Sequence, residues 1–107
     1  MSDFENETWI IDAGDEVIGK KAASGMDSLT PRERLIYCLW VADYGMRNAG
    51  DLETACDLFV PFQSLGRETA MALNLPQTLS LFDLTRDEME QRYFDHFDVV
   101  CEEIRAR

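Results

Sequence analysis

The sequence predicts an all-α fold, a single compact domain of about five to six helices around a buried central helix at about residues 31–45. Three observations carry this expectation. No segment of useful length alternates apolar and polar residues with period two, and β-branched residues are sparse. Ser2 with Glu5, Thr30 with Glu33, and Thr85 with Glu88 have the spacing of a capping box. The run from Leu35 to Ala42 is apolar at every angle of a helical wheel, the pattern of a helix enclosed on all sides.

The elements follow in chain order. A first helix is predicted over about residues 4–23. Ile10, Ile11, Gly14, Val17 and Ile18 share one face of it, and Glu5, Asp12 and Glu16 share another. Gly14 and Gly19 weaken this helix and allow a break. The stretch "SGMDSL", residues 24–29, carries turn residues and reads as a connection. The central helix begins at Pro31, which follows the Thr30 cap at the position where a missing N–H is harmless. The run ends in a corner at Asn48 and Gly50.

Asp51 is expected to cap a third helix at about 52–60, with Leu52, Ala55, Cys56 and Phe59 inward and Pro61 ending it. Short helices at about 64–74 and 76–82 follow, the second starting near Asn74 and Pro76. The last, at about 86–105, has the clearest pattern. Met89, Tyr93, His96, Phe97, Val100, Cys101 and Ile104 form one stripe, and Asp87, Glu88, Asp95, Asp98 and Glu102 lie opposite.

A chain of 107 residues fits one domain, residues 1–107, with a single core. No apolar run approaches the ~18 residues of a membrane span, and the acidic N-terminus "MSDFENETW" does not read as a signal peptide. Cys38, Cys56 and Cys101 are odd in number and widely spaced, which predicts three reduced, buried thiols in a cytoplasmic protein. The 21 acids and 10 bases leave a formal charge of −11. Such a chain is repelled by nucleic acid and by anionic membranes, so the expected partners are cations, basic proteins, or a second copy of the chain through an uncharged face.

The residues that carry chemistry are few. His96 is the single histidine and falls on the core stripe, with no nucleophile motif to pair with. No zinc spacing, EF-hand loop or phosphate loop is present, so neither a metal nor a cofactor is expected. Asp43 lies inside the apolar run, where a buried charge needs a partner, and Arg47 is four residues on. An ion pair between them would close the helix end. Asp43, Arg47, Asn48 and Gly50 are therefore expected to form a structural corner.

Asp95, Asp98 and Glu102 are like charges three and four residues apart, an arrangement that destabilises a helix by a few tenths of a kcal/mol per pair. From Asp87 to Glu102 the acidic stripe runs about 22 Å at ~1.5 Å per residue. It is the candidate protein-binding face, with Glu5, Asp12 and Glu16 as a second one.

The segment "LTPRERLIYCLWVADYGMRNAGDL" resembles a bacterial family of small, acidic, all-helical proteins that includes a DNA-mimic protein. The resemblance lies in Leu29, Thr30, Glu33, Arg34, Leu35, Ile36, Tyr37 and Trp40, and in the corner Gly45-Met46-Arg47-Asn48-Ala49-Gly50. The closing "EMEQRYFDHFDVV" is similar to the family's final helix, with Gln91 where the family has an acid, and "SLGRETAMALNLPQTLSLF" loosely fits its intervening helices. In all, the resemblance touches most of residues 9–104. Gly45 stands where the family has glutamate, and Ala49 where it has its first corner glycine.

The resemblance implies an all-helical, often dimeric protein; most members of the family have no assigned function, and in its DNA-mimic member surface carboxylates imitate DNA phosphates. The expected function is an acidic interaction module that binds a basic protein, with a DNA-mimic regulator as its specific form. The alternative is a homodimeric immunity-like, antitoxin-like or structural protein acting through an apolar face that includes Phe62, Met71 or Phe94. An enzyme is not expected. It would need a pocket with converging polar groups around His96 or Asp43.

Overall fold

The computed structural model describes residues 4–107. Among them are six α-helices, one 3₁₀ turn and no strand. In order these are α1 (Glu5–Ser24), the 3₁₀ turn (Met26–Ser28), α2 (Pro31–Ala49), α3 (Glu53–Leu58), α4 (Phe62–Ala72), α5 (Pro76–Phe82) and α6 (Arg86–Arg105). The all-α prediction holds. The predicted Ser2 cap lies outside the described residues.

Both remaining capping boxes close as their spacing requires. The Thr30 Oγ1 accepts the Glu33 N–H at 3.2 Å, and the Glu33 carboxylate accepts the Thr30 N–H at 2.8 Å. Thr85 and Glu88 repeat the arrangement at the head of α6. Each box satisfies backbone donors that the first helical turn leaves free.

The central helix runs one turn past its predicted end. Met46 is buried, so the apolar seam continues, and the helix stops only at Gly50. There the backbone turns left-handed (φ 74°), and the Gly50 N–H reaches the carbonyls of Gly45 and Met46 at 3.1 and 3.0 Å. Glycine adopts this conformation without the Cβ penalty. Asn48 lies inside the helix and donates to the Tyr44 carbonyl at 2.8 Å.

α3 is shorter than predicted because Phe59 is extended before Pro61. Asp51 caps its start, its carboxylate accepting the N–H groups of Glu53 and Thr54 at 3.1 and 3.4 Å. α4 begins at Phe62 and ends at Ala72, two residues earlier at each end than predicted.

α2 packs against α1, α3, α4 and α6, which makes it the centre of the fold. The core it organises includes Ile10, Leu35, Leu39, Leu52, Phe62, Leu81, Phe82, Met89, Tyr93 and Ile104. α1 is continuous through both glycines. The Trp40 ring lies directly over Gly14, where a methyl group would collide with it. The radius of gyration, 12.6 Å, matches the ~13 Å of a compact domain this long.

Three predicted placements change. Ile11 is 50% exposed rather than in the core, because α1 buries a narrower stripe of Asn6, Ile10, Gly14 and Val17. Phe62 is fully buried and cannot belong to a surface patch. α2 is not enclosed all round: Trp40 is half-buried and Tyr44 is 43% exposed, because α1 leaves that side partly open.

Candidate functional site

Asp43 is 5% exposed and sits at the meeting of three helices. Arg47 Nε lies 3.0 Å from both of its carboxylate oxygens. The Tyr93 hydroxyl of α6 donates to Oδ1 at 2.7 Å. The predicted ion pair therefore forms, but it is part of a larger network. Arg47 Nη1 also contacts Glu7 Oε1 of α1 at 2.7 Å, and its guanidinium lies over the rings of Phe97 and Phe94 at 4.7 and 5.1 Å.

Burial pushes the Asp43 carboxyl above its ordinary range, against the opposing pull of Tyr93 and Arg47. Tyr93, fully buried beside that carboxylate, is raised well above the ordinary phenol value, chiefly by desolvation. Neither Glu7 nor Tyr93 is adjacent to Asp43 in sequence, so only the arginine four residues away was readable beforehand.

The two predicted acidic faces divide into residues that hold the fold and residues that point outward. Glu5 pairs with Arg105 at 3.0 Å. Asp98 accepts from Asn6 Nδ2 at 2.9 Å, and Asn6 Oδ1 in turn accepts from Arg105 at 2.8 Å. This seam joins the start of α1 to the end of α6. Glu88 closes its capping box. By contrast, Asp12 and Glu16 of α1, and Asp87, Asp95 and Glu102 of α6, are exposed. The side-chain carboxylate of none of these five forms an ion pair within 4 Å or a hydrogen bond with a described residue.

Two further carboxylates act inward, without any local sequence signal. Glu90 accepts the Leu52 N–H at 2.8 Å. Glu103 accepts the N–H groups of Gln77 and Thr78 at 3.0 and 2.8 Å and the Thr78 hydroxyl at 2.8 Å. Glu90 thereby ties α6 to the start of α3, and Glu103 caps the start of α5 from outside.

Between α1 and α2 lies a cleft of about 260 Å³ lined by Ile11, Asp15, Trp40, Asp43, Tyr44, Arg47 and Asn48. Trp40 and Tyr44 stack along its wall, 5.5 Å between centroids and 29° between planes. The Asp43–Arg47 pair lies at its base, and the carboxylate of Asp15, which sequence reasoning did not single out, stands at its edge. A second, apolar cleft of about 520 Å³ lies at the α4–α5 corner, lined by Ala70, Met71, Asn74, Leu75, Pro76 and Leu79.

His96 is half-buried on the inner side of α6. The three cysteines are free thiols, but only Cys38 and Cys101 are buried. Cys56 is half-buried, a correction to the prediction, with its sulfur accepting from Arg86 Nη1. Burial pushes the Cys38 thiol up to about 12. Among the described residues no group of three His, Cys, Asp or Glu side chains is arranged to hold a metal ion.

The chain matches no protein-family model, no curated protein and no solved structure.

Proposed function

We propose that this chain is an acidic protein-interaction module that binds a basic protein, and that its specific form is a DNA-mimic regulator of a DNA-binding protein. One observation carries the reading: the fold engages most of its bases internally, Arg34, Arg92 and Arg107 aside, while it leaves a set of acids open. Lys20 pairs with Glu33, Arg47 with Asp43 and Glu7, Arg67 with Asp83, and Arg105 with Glu5, while Arg32 donates to the Ile104 carbonyl. Asp12, Asp15 and Glu16 on α1 and Asp87, Asp95 and Glu102 on α6 have no such partner among the described residues. Carboxylates free of internal pairing are open to a basic surface, and the net charge of −11 steers such a partner inward.

The resemblance in residues 29–52 and the final helix supports the DNA-mimic form. It draws no support from the corner, since Gly45 is packed beneath the Asp51 carbonyl and has no room for the glutamate of the family pattern. Free thiols fit a cytoplasmic setting, and the bacterial one rests on the resemblance. No described helix is long and apolar enough to cross a membrane. The reading involves no direct contact with nucleic acid.

The test is affinity capture of the native partner at low and high salt, with wild type and with Asp95→Asn/Glu102→Gln/Asp12→Asn/Glu16→Gln. Binding through exposed charge weakens steeply once the screening length drops below ~10 Å. Capture that is indifferent both to salt and to the four neutralised acids rejects the reading.

One observation favours the apolar-face alternative. Met71 is 52% exposed at the edge of the α4–α5 cleft. If that face joins two copies, Met71→Glu converts a dimer to a monomer in sedimentation, and the four neutralised acids leave association unchanged.

A further inference from the structure

We infer that the cleft between α1 and α2 is a receptor for a single arginine side chain presented by the basic partner. The inference rests on the partner reading above and names the chemistry by which that partner is held.

Four observations converge. The cleft measures about 260 Å³, below the ~300–1,000 Å³ of pockets that enclose drug-sized ligands, so it suits one side chain. Its wall is a stacked pair of aromatic rings, Trp40 and Tyr44, and Tyr44 is exposed enough to offer a face. A guanidinium over such a face is attracted by the ring quadrupole. The carboxylate of Asp15, exposed at the edge, makes no ion pair or hydrogen bond with a described residue, so it is open to an incoming cation. Ile11, exposed against expectation, completes the opposite wall and suits the aliphatic stem of a long basic side chain.

Arg47 at the base does not reverse this sign. Its guanidinium already lies between two carboxylates, Asp43 and Glu7, so the cleft with Asp15 carries net negative charge. Arginine is favoured over lysine, because only a planar guanidinium both stacks on a ring and forks onto a carboxylate. A second copy of this chain is disfavoured as the donor, since each copy brings a charge of −11.

The test measures binding of a blocked, fluorescently labelled arginine peptide and of its lysine counterpart of equal charge, by anisotropy at low salt. Wild type is expected to prefer arginine by roughly two- to fivefold, the scale of an exposed cation–π contact. Tyr44→Ser should abolish the preference, and Asp15→Asn should weaken the arginine peptide more than the lysine one. The control Asp95→Asn/Glu102→Gln should weaken both peptides together and leave their ratio intact. Thermal unfolding of each variant confirms that it is folded, and Tyr44→Phe, which keeps the ring, should retain the preference.

Equal affinity for the two peptides, or a preference that survives Tyr44→Ser, overturns the cleft. If native capture remains salt-sensitive in that case, the acidic-module reading stands without it. An arginine preference that depends on Tyr44, combined with salt-indifferent capture, supports the cleft and rejects the broader reading.

Discussion

The Tyr93 hydroxyl donates a 2.7 Å hydrogen bond to the Asp43 carboxylate, joining α6 to the central helix inside the core. The two residues are fifty positions apart, and the carboxylate they share with Arg47 is the only charged group among the buried described residues. A buried carboxylate is tolerated when its lone pairs are filled, and here Arg47 and Tyr93 fill them.

Tyr93→Phe keeps the ring and removes the donor. Hydrogen bonds to charged groups contribute about 1.5–3 kcal/mol, and Arg47 remains in place, so a loss near the lower end of that range is expected in denaturant unfolding. Because the Tyr93 hydroxyl opposes the upward shift of Asp43, the Asp43 titration midpoint should move further up in this variant. Carboxyl-carbon NMR titration reads both values. A midpoint unchanged from wild type contradicts the network.

The raised Asp43 value also sets a direction for stability against pH. A carboxyl whose folded value lies above its unfolded one holds its proton more tightly in the native state. Its contribution is full below the ordinary value near 3.8 and declines as pH rises through the raised folded value. Glu33 is opposite. Its carboxyl is lowered by the Lys20 bond and the Thr30 backbone N–H, so its contribution is present above the ordinary value and is lost as pH falls through the lowered one. Asp43→Asn should therefore remove a component that favours the native state in mild acid. The difference in unfolding free energy between wild type and Asp43→Asn, measured across pH 3–7, should shrink as pH rises. A difference that grows contradicts the assignment.

Two glycines in helices should respond to alanine with opposite signs. At Gly19 a methyl group meets nothing within 4 Å, so Gly19→Ala should stabilise by roughly 0.5–1 kcal/mol through helix propensity. At Gly45 a methyl group would lie 2.8 Å from the Asp51 carbonyl oxygen and 3.1 Å from the Ala55 nitrogen. Both are backbone atoms, so α3 must move. Gly45→Ala should destabilise by about 1–3 kcal/mol despite the same gain in propensity. Paired thermal melts check the contrast.

Glu103→Ala removes the acceptor for two N–H groups at the start of α5 and for the hydroxyl of Thr78, which is fully buried. Loss of a cap destabilises by about 0.5–2 kcal/mol, and the buried hydroxyl left without its partner places this variant toward the upper end. Hydrogen exchange should quicken in Pro76–Phe82 more than elsewhere.

Thiol labelling should distinguish the three cysteines. Cys56 is half-buried beside Arg86, and should react first in the native protein. Cys38 and Cys101, buried with raised thiols, should react only on unfolding. Titration with a chromogenic disulfide, with and without denaturant, separates the two classes.

Much of the fold is legible in the order of the residues. Thr30 with Pro31 and Glu33, and Thr85 with Glu88, place two helix starts through bonds that span three residues. The Met89-to-Ile104 stripe names the buried face of α6. Asp43 and Arg47, four residues apart, find each other on one helix. All of these are local relations, and local spacing is what a sequence displays. The misplacements arose where a neighbour decided the outcome. Ile11 and Phe62 are both apolar, and only the packing of α1 on α2, and of α4 under the core, leaves the first exposed and the second enclosed.

The all-helical chain, its main caps, its central helix and its acidic balance follow from residue order, because helix periodicity and capping chemistry act within a turn or two of the chain. Which carboxylates hold the fold and which face outward depends instead on how the helices pack. Asp98 is claimed by Asn6, Glu5 by Arg105, Glu103 by Thr78 and Asp43 by Tyr93, partners 25 to 100 residues away. A carboxylate's role depends on what stands within about 3 Å of it, and that distance is fixed by packing between helices rather than by position along one.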